Sequence, residues 1–96
     1  MDKITEDKIE KYLSITKKAL DSVIINSKSE RSLQGKGEEI LDMAKRYFDD
    51  AKYYYEKKQD IVTAFAAVNY AHGWLDTGAR IGLLSVKKNK ELFTVD

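Results

Sequence analysis

The sequence predicts an all-α domain, an antiparallel three-helix bundle with a short extended C-terminal segment, and three observations carry that reading. Apolar residues recur at steps of three and four over about residues 5–25, 38–58 and 60–84, which is the period of one helix face. Only Gln59 and Asp60 separate the second and third stretches, and so short a link makes two helices an antiparallel hairpin. The chain also contains no proline, so nothing breaks these helices from within.

Size and composition narrow the class further. At 96 residues and 11.0 kDa the chain is one domain, residues 1–96, and a chain of this mass buries roughly two-thirds of its unfolded surface, enough for a core without staples. There is no cysteine and one histidine, which excludes a disulfide framework, a thiolate metal site and a thiol nucleophile. With 17 basic and 16 acidic residues the formal charge is +1, and the balance stays flat along the chain. A nucleic-acid binder shows a basic face that releases counterions, so nucleic acid is disfavoured as a partner. Lys87, Lys88 and Lys90 read as a solvated tail. The N-terminal MDKITEDKIEKY mixes acids with lysines and carries no apolar run, unlike a targeting peptide. No stretch approaches the ~18 apolar residues of a spanning helix. The expectation is a cytoplasmic protein with no membrane partner.

In the first helix Ile9, Tyr12, Leu13, Thr16, Ala19, Leu20, Val23 and Ile24 share one face. Thr5 is its expected N-cap, and Glu6 and Asp7 sit in the first turn, where the helix dipole favours negative charge. Residues 26–37 are polar and are expected to form a long loop, with Gly35 and Gly37 as a flexible entry to the second helix. That helix collects Ile40, Leu41, Ala44, Tyr47, Phe48, Ala51, Tyr54 and Tyr55 on its apolar side, and Tyr53 falls outside the stripe. Asp60 is the expected N-cap of the third helix. The third helix is the least polar and is expected to be central. Residues 85–96 form a tail in which Leu92, Phe93 and Val95 read as a short extended segment docked on the bundle.

Two strips on the third helix carry the candidate chemistry. Ala64, Ala67, Ala71, Gly78 and Gly82 fall on a narrow strip of small residues, with Trp74 beside them, and are expected to pack against the large side chains of the second helix. Asn69, His72, Asp76 and Arg80, spaced by three, four and four, project from one side. His72 can bond Asp76 a turn away and Asp76 can pair with Arg80. A carboxylate beside an imidazole orients a general base or a metal ligand. The same spacing also describes a solvated face with two ordinary i, i+4 pairs, or a partly buried stripe that ties the helix to its neighbours. No serine, cysteine or second histidine completes a nucleophilic set, and QGKGEE lacks the spacing of a phosphate loop. No Glu-x-x-His pattern supports a metal bound by His72. No cofactor and no catalytic residue is therefore assigned, and the reading leans away from an enzyme.

The run YFDDAKYYYEKKQDIVTAFAAVNYAHGWLDTGARIGLL, with NYAHGWLDTGARIG at its centre, resembles the archaeal family known as domain of unknown function 357. The closing LFTVD is similar to that family's C-terminal end. The resemblance implies an all-helical domain of about three helices with no activity, substrate or cofactor to carry over. Because the likeness includes His72, Asp76 and Arg80, it favours a partner or ligand on that side. The leading expectation is a protein–protein interaction or self-association module, contacting a second copy or another protein through the His72/Asp76/Arg80 side or Leu92–Val95. The alternative is a small-ligand or enzymatic site on His72, Asp76 and Arg80, and the weakest is a nucleic-acid accessory protein.

Overall fold

A computed structural model describes residues 4–26 and 31–86. In chain order the elements are α1 (Glu6–Ser22), β1 (Val23–Ile25), α2 (Arg31–Glu56), α3 (Ile61–Arg80) and β2 (Leu84–Val86). The fold is the expected all-α three-helix bundle, with a two-stranded antiparallel ribbon at one end. Lys8 and Tyr12 lie at Phe65 near the start of α3, while Ala19 and Val23 share a cluster with Leu75 and Leu84 near its end. Helices α1 and α3 therefore run parallel, and α2 runs against both. Helix α3 packs on each of the others more extensively than they pack on one another, so it is the central element.

Both expected caps form. Thr5 Oγ1 accepts from Lys8 N at 3.2 Å, and Asp60 accepts from Thr63 N at 3.1 Å and Thr63 Oγ1 at 2.6 Å. These bonds satisfy amide donors that a helix start leaves open. The link between α2 and α3 closes with Asp60 N donating to Tyr54 O at 2.9 Å, and Gln59 takes a positive φ of 54° to make the turn.

Three boundaries correct the sequence expectation. Helix α1 ends at Ser22 rather than near residue 25, because Val23, Ile24 and Ile25 pair with Val86, Ser85 and Leu84. The β-branched run suits a pleated strand better than a helix. Helix α3 ends at Arg80 rather than near residue 84. Gly82, expected on the small strip inside the helix, stands just past its end with φ +82°. Leu83 N donates to Gly78 O at 2.9 Å and Gly82 N to Ala79 O at 3.2 Å, the paired bonds of a Schellman cap in which the left-handed position favours glycine. Helix α2 begins at Arg31, so most of the loop expected over 26–37 is helical. Gly37 is buried there: a Cβ at that position would lie 3.0 Å from Leu83 O and 3.4 Å from Ile25 Cγ2. The ribbon thus seats the first turns of α2. The segment Leu92–Val95 lies outside the described residues.

The core is built from small residues between α2 and α3. Ala44 and Ala51 of α2 and Ala64 and Ala71 of α3 are fully buried, with Ala67 nearly so. Phe48 is buried with them, but Tyr47, Tyr54 and Tyr55 lie at the margins, which amends the expected pattern of large on small. The largest fully buried side chains, Ile9 of α1 and Val68 and Leu75 of α3, are joined by Thr16. Tyr55 reaches α1 instead, its hydroxyl donating to Glu10 Oε2. That bond, with burial and the charges of Glu10, Glu6 and Asp7, pushes the Tyr55 hydroxyl from 10.0 up to about 12.

Two measurements check this packing. A Cβ at Gly78 would lie 2.6 Å from Leu84 Cδ1 and 3.1 Å from Ile40 Cγ2, whereas one at Gly73 meets nothing within 4 Å. Denaturant unfolding in dilute solution should show Gly78→Ala destabilised by about 1–2 kcal/mol through overpacking. Gly73→Ala should instead be stabilised by about 0.5–1 kcal/mol through helix propensity. Because the folded state holds the Tyr55 proton more tightly than the unfolded chain, its contribution is complete below the ordinary pKa of 10.0 and is lost as pH rises through about 12. Ultraviolet titration should show Tyr55 ionising earlier in Glu10→Gln, with a flatter loss of stability over that alkaline window.

Candidate functional site

Helix α3 carries every candidate site residue except Gly82, which stands in the turn just past its end. At 100° per residue Asn69, His72, Asp76 and Arg80 span an arc of about 80°. This arc borders α1, since Phe65 on the same side packs edge-on against Tyr12 with ring centroids 5.2 Å apart. Thr16 lies one turn before Ala19 and Leu20, as His72 lies one turn before Leu75 and Asp76.

The four residues do not act as one set. Arg80 Nε donates to Asp76 Oδ2 at 2.8 Å, and the Asp76 side chain is only 16% exposed while that of Arg80 is 62% exposed. The other carboxylate oxygen, Asp76 Oδ1, is buried without a partner among the described residues, as is Thr16 Oγ1. Asn69 turns back on its own helix, Nδ2 donating to Phe65 O at 2.8 Å. His72 is half-buried and makes no hydrogen bond to Asp76 among the described residues. Of the two expected pairs Asp76–Arg80 forms and, among the described residues, His72–Asp76 does not; a guanidinium is a strong donor to a carboxylate. Among the described residues no group of three or more His, Asp or Glu side chains is placed to hold a metal ion. His72, Asp76 and Arg80 line neither of the two depressions beside Trp74.

The small strip divides as well. Ala64, Ala67, Ala71 and Gly78 face the core, Trp74 is half-buried at its edge, and Gly82 belongs to the turn. Trp74 separates two shallow depressions on the side of the α2–α3 hairpin. One, of about 370 Å³, is lined by Tyr47, Asn69, Tyr70, Gly73, Trp74 and Thr77. The other, of about 480 Å³, includes Ile40, Met43 and Trp74 with Lys36, Asp42 and Arg46 around them. Tyr47 and Tyr70 rest together with ring centroids 5.3 Å apart, yet Tyr70 stays 62% exposed.

Sequence reasoning missed this surface, although a signal for it exists. From Ile61 to Leu75 α3 carries no Asp, Glu, Lys or Arg, so its exposed positions are uncharged as well as its buried ones. Val62 is 68% and Ile81 59% exposed at the two ends of the same helix. Single exposed apolar residues are ordinary on any surface. A whole exposed face without charge, in a chain that is 34% charged, is the feature that stands out.

A family model described as Protein of unknown function (DUF357) matches residues 11–84. The chain belongs to the DUF357 family. The DUF357 match takes in most of α1, all of α2 and α3 and the first residue of β2, so both α3 strips and the aromatic face lie within it. No curated protein and no solved structure matches the chain significantly. No helix among the described residues is long and apolar enough to cross a membrane.

The division of the polar stripe is testable by double-mutant cycles in urea. The Asp76–Arg80 pair should show a coupling of about 0.3–0.5 kcal/mol, as expected for a partly exposed i, i+4 pair. The His72–Asp76 cycle should show none beyond the error of about 0.3 kcal/mol.

Proposed function

We propose that this DUF357 protein is a small helical interaction module of the cytoplasm, and that its contact surface is the uncharged outer face of α3. The observation that supports this reading is the absence of charge from Ile61 to Leu75, combined with the exposure of Val62, Tyr70 and Ile81. Interface centres are depleted in charge and enriched in tyrosine and tryptophan, and Tyr47, Tyr70 and Trp74 supply that composition here. The NYAHGWLDTGARIG likeness supports an archaeal setting. The charge balance favours protein over nucleic acid as partner. The His72/Asp76/Arg80 stripe borders this face and supplies a polar rim through Arg80.

The test places one charge on the face without disturbing the core. Ala66 is exposed and glutamate is a good helix former, so Ala66→Glu should leave the melting temperature within a few degrees of wild type. Complex size is measured by gel filtration with light scattering, for the pure full chain and for the chain in an extract of its source cells. Assemblies present with wild type should be lost in Ala66→Glu. A chain that stays monomeric in both settings, or assemblies indifferent to the added charge, would overturn the reading.

A further inference from the structure

The exposed uncharged positions of α3 have an order that suits one occupant in particular. Beside Thr63 and Asn69, which are exposed and uncharged as well, Val62, Ala66, Tyr70, Gly73, Thr77 and the C-cap residue Ile81 are separated by steps of 4, 4, 3, 4 and 4, a spacing that reads the same in both directions. All six fall within an arc of about 100° on α3, the width of a helix contact stripe. The steps 4, 4, 3 form the eleven-residue period of 3.67 residues per turn, so the stripe runs nearly straight along an unstrained helix.

A palindromic stripe can pair with itself when two copies of the helix run antiparallel about a two-fold axis. In such an interface residue i of one copy meets j of the other and j meets i. With the axis between Tyr70 and Gly73, Tyr70 lies over the partner's Gly73, Ala66 over the partner's Thr77, and Val62 over the partner's Ile81. Each pairing matches what the monomer leaves open. Tyr70 is a large side chain 62% exposed, and Gly73 presents a helix surface with nothing within 4 Å of where its Cβ would be. A knob and a hole one turn apart on one helix become complementary only across such an axis. Val62 and Ile81, at 68% and 59% exposed, lie at opposite ends of α3 and are brought together.

Charge and area agree with this occupant. The register sets Arg80 opposite the partner's Thr63, whose amide and hydroxyl are held by Asp60, so a cation meets a carboxylate at both ends. No like charges face one another over Ile61–Leu75, since that span carries none. Twenty residues of α3 span about 30 Å at 1.5 Å each, and with one flanking helix row the face is about 20 Å wide. That gives roughly 600 Å² in projection and more as accessible surface, close to the roughly 800 Å² per partner of a standard specific interface.

We propose that the occupant of the α3 face is a second copy of this chain, docked antiparallel with Tyr70 seated on the partner's Gly73. The inference rests on the interaction surface argued above and adds the identity of the partner and the register.

Because the chain has no cysteine, single cysteines report the register directly. Val62→Cys and Ile81→Cys are made separately at exposed positions, mixed as full-length chains, allowed to exchange subunits and oxidised. Light scattering of wild type should give twice 11.0 kDa. The mixture should form the 62–81 disulfide dimer at least tenfold faster than either variant alone. Gly73→Leu, which fills the hole, should raise the dimer dissociation constant at least tenfold while its circular dichroism stays helical. A wild-type chain that is monomeric at the highest soluble concentration overturns the proposal, and the wider surface reading then stands or falls by Ala66→Glu in extract. A dimer in which Val62→Cys cross-links fastest to itself, or in which Gly73→Leu binds as well as wild type, overturns the antiparallel register and leaves the surface reading in place.

Discussion

The close approach of α2 and α3 through alanine is the constraint from which the other features follow. Ala44 and Ala51 on one helix and Ala64 and Ala71 on the other have no exposed surface, and small residues let helix axes come to the near end of the usual 8–10 Å separation. Alanine loses no side-chain entropy on burial and is the best helix former. It also buries little area, so the hairpin alone gains little hydrophobic stabilisation at about 25 cal/mol per Å². Helix α1 supplies what is missing, with Ile9 packed in the cluster that holds Val68, while Ala19 and Val23 meet Leu75 and Leu84. A tight seam has a second effect. It leaves little room for rings: Phe48 is buried, but Tyr47, Tyr54, Tyr55, Tyr70 and Trp74 lie at the margins.

Much of the fold was legible in the sequence, and the reasons differ from element to element. Periodicity located three helices because their buried faces are continuous, and Thr5 and Asp60 were readable as caps because their chemistry is local. The ends of α1 and α3 were not, because a run such as Val23-Ile24-Ile25 fits a helix face and a strand equally well. Its fate is decided by pairing with Leu84–Val86, some sixty residues away in the chain. The first turns of α2 were hidden for a related reason. Gly35 and Gly37 weaken the local preference for helix, and the contact of Gly37 with Leu83 and Ile25 is tertiary. Gly82 was the exception that local reasoning could have caught, as a glycine one residue past the helix with a basic Arg80 in the last turn.

The candidate site was legible only as proximity. The spacing of His72, Asp76 and Arg80 places a histidine and an arginine each one turn from the same aspartate, and spacing alone does not choose between them. The structure resolves the choice in favour of Arg80, whose long side chain keeps its charge in solvent while binding a carboxylate that is mostly covered. The long stem of an arginine lets it snorkel in this way. The uncharged face needed a different kind of reading. Amphipathic analysis asks where the apolar residues lie, and in α3 they lie nearly everywhere, so the informative pattern was the absence of charge from positions that the bundle does not cover.

The three glycines near the centre and end of α3 stand in three different settings. Gly78 makes room for Leu84 and Ile40, and Gly82 adopts the backbone conformation that ends the helix. Both offset within the monomer the roughly 0.5–1 kcal/mol that glycine costs relative to alanine in a helix. Gly73 does neither, since it faces open space in mid-helix. Its cost has no compensation in the isolated chain, and it stands one turn from Tyr70, whose exposed ring is likewise unused by the core. The side of α3 that builds the bundle and the side that carries these two residues share few side chains. Substitutions on the outer face therefore leave the fold little changed, because the alanine seam that specifies the hairpin points the other way.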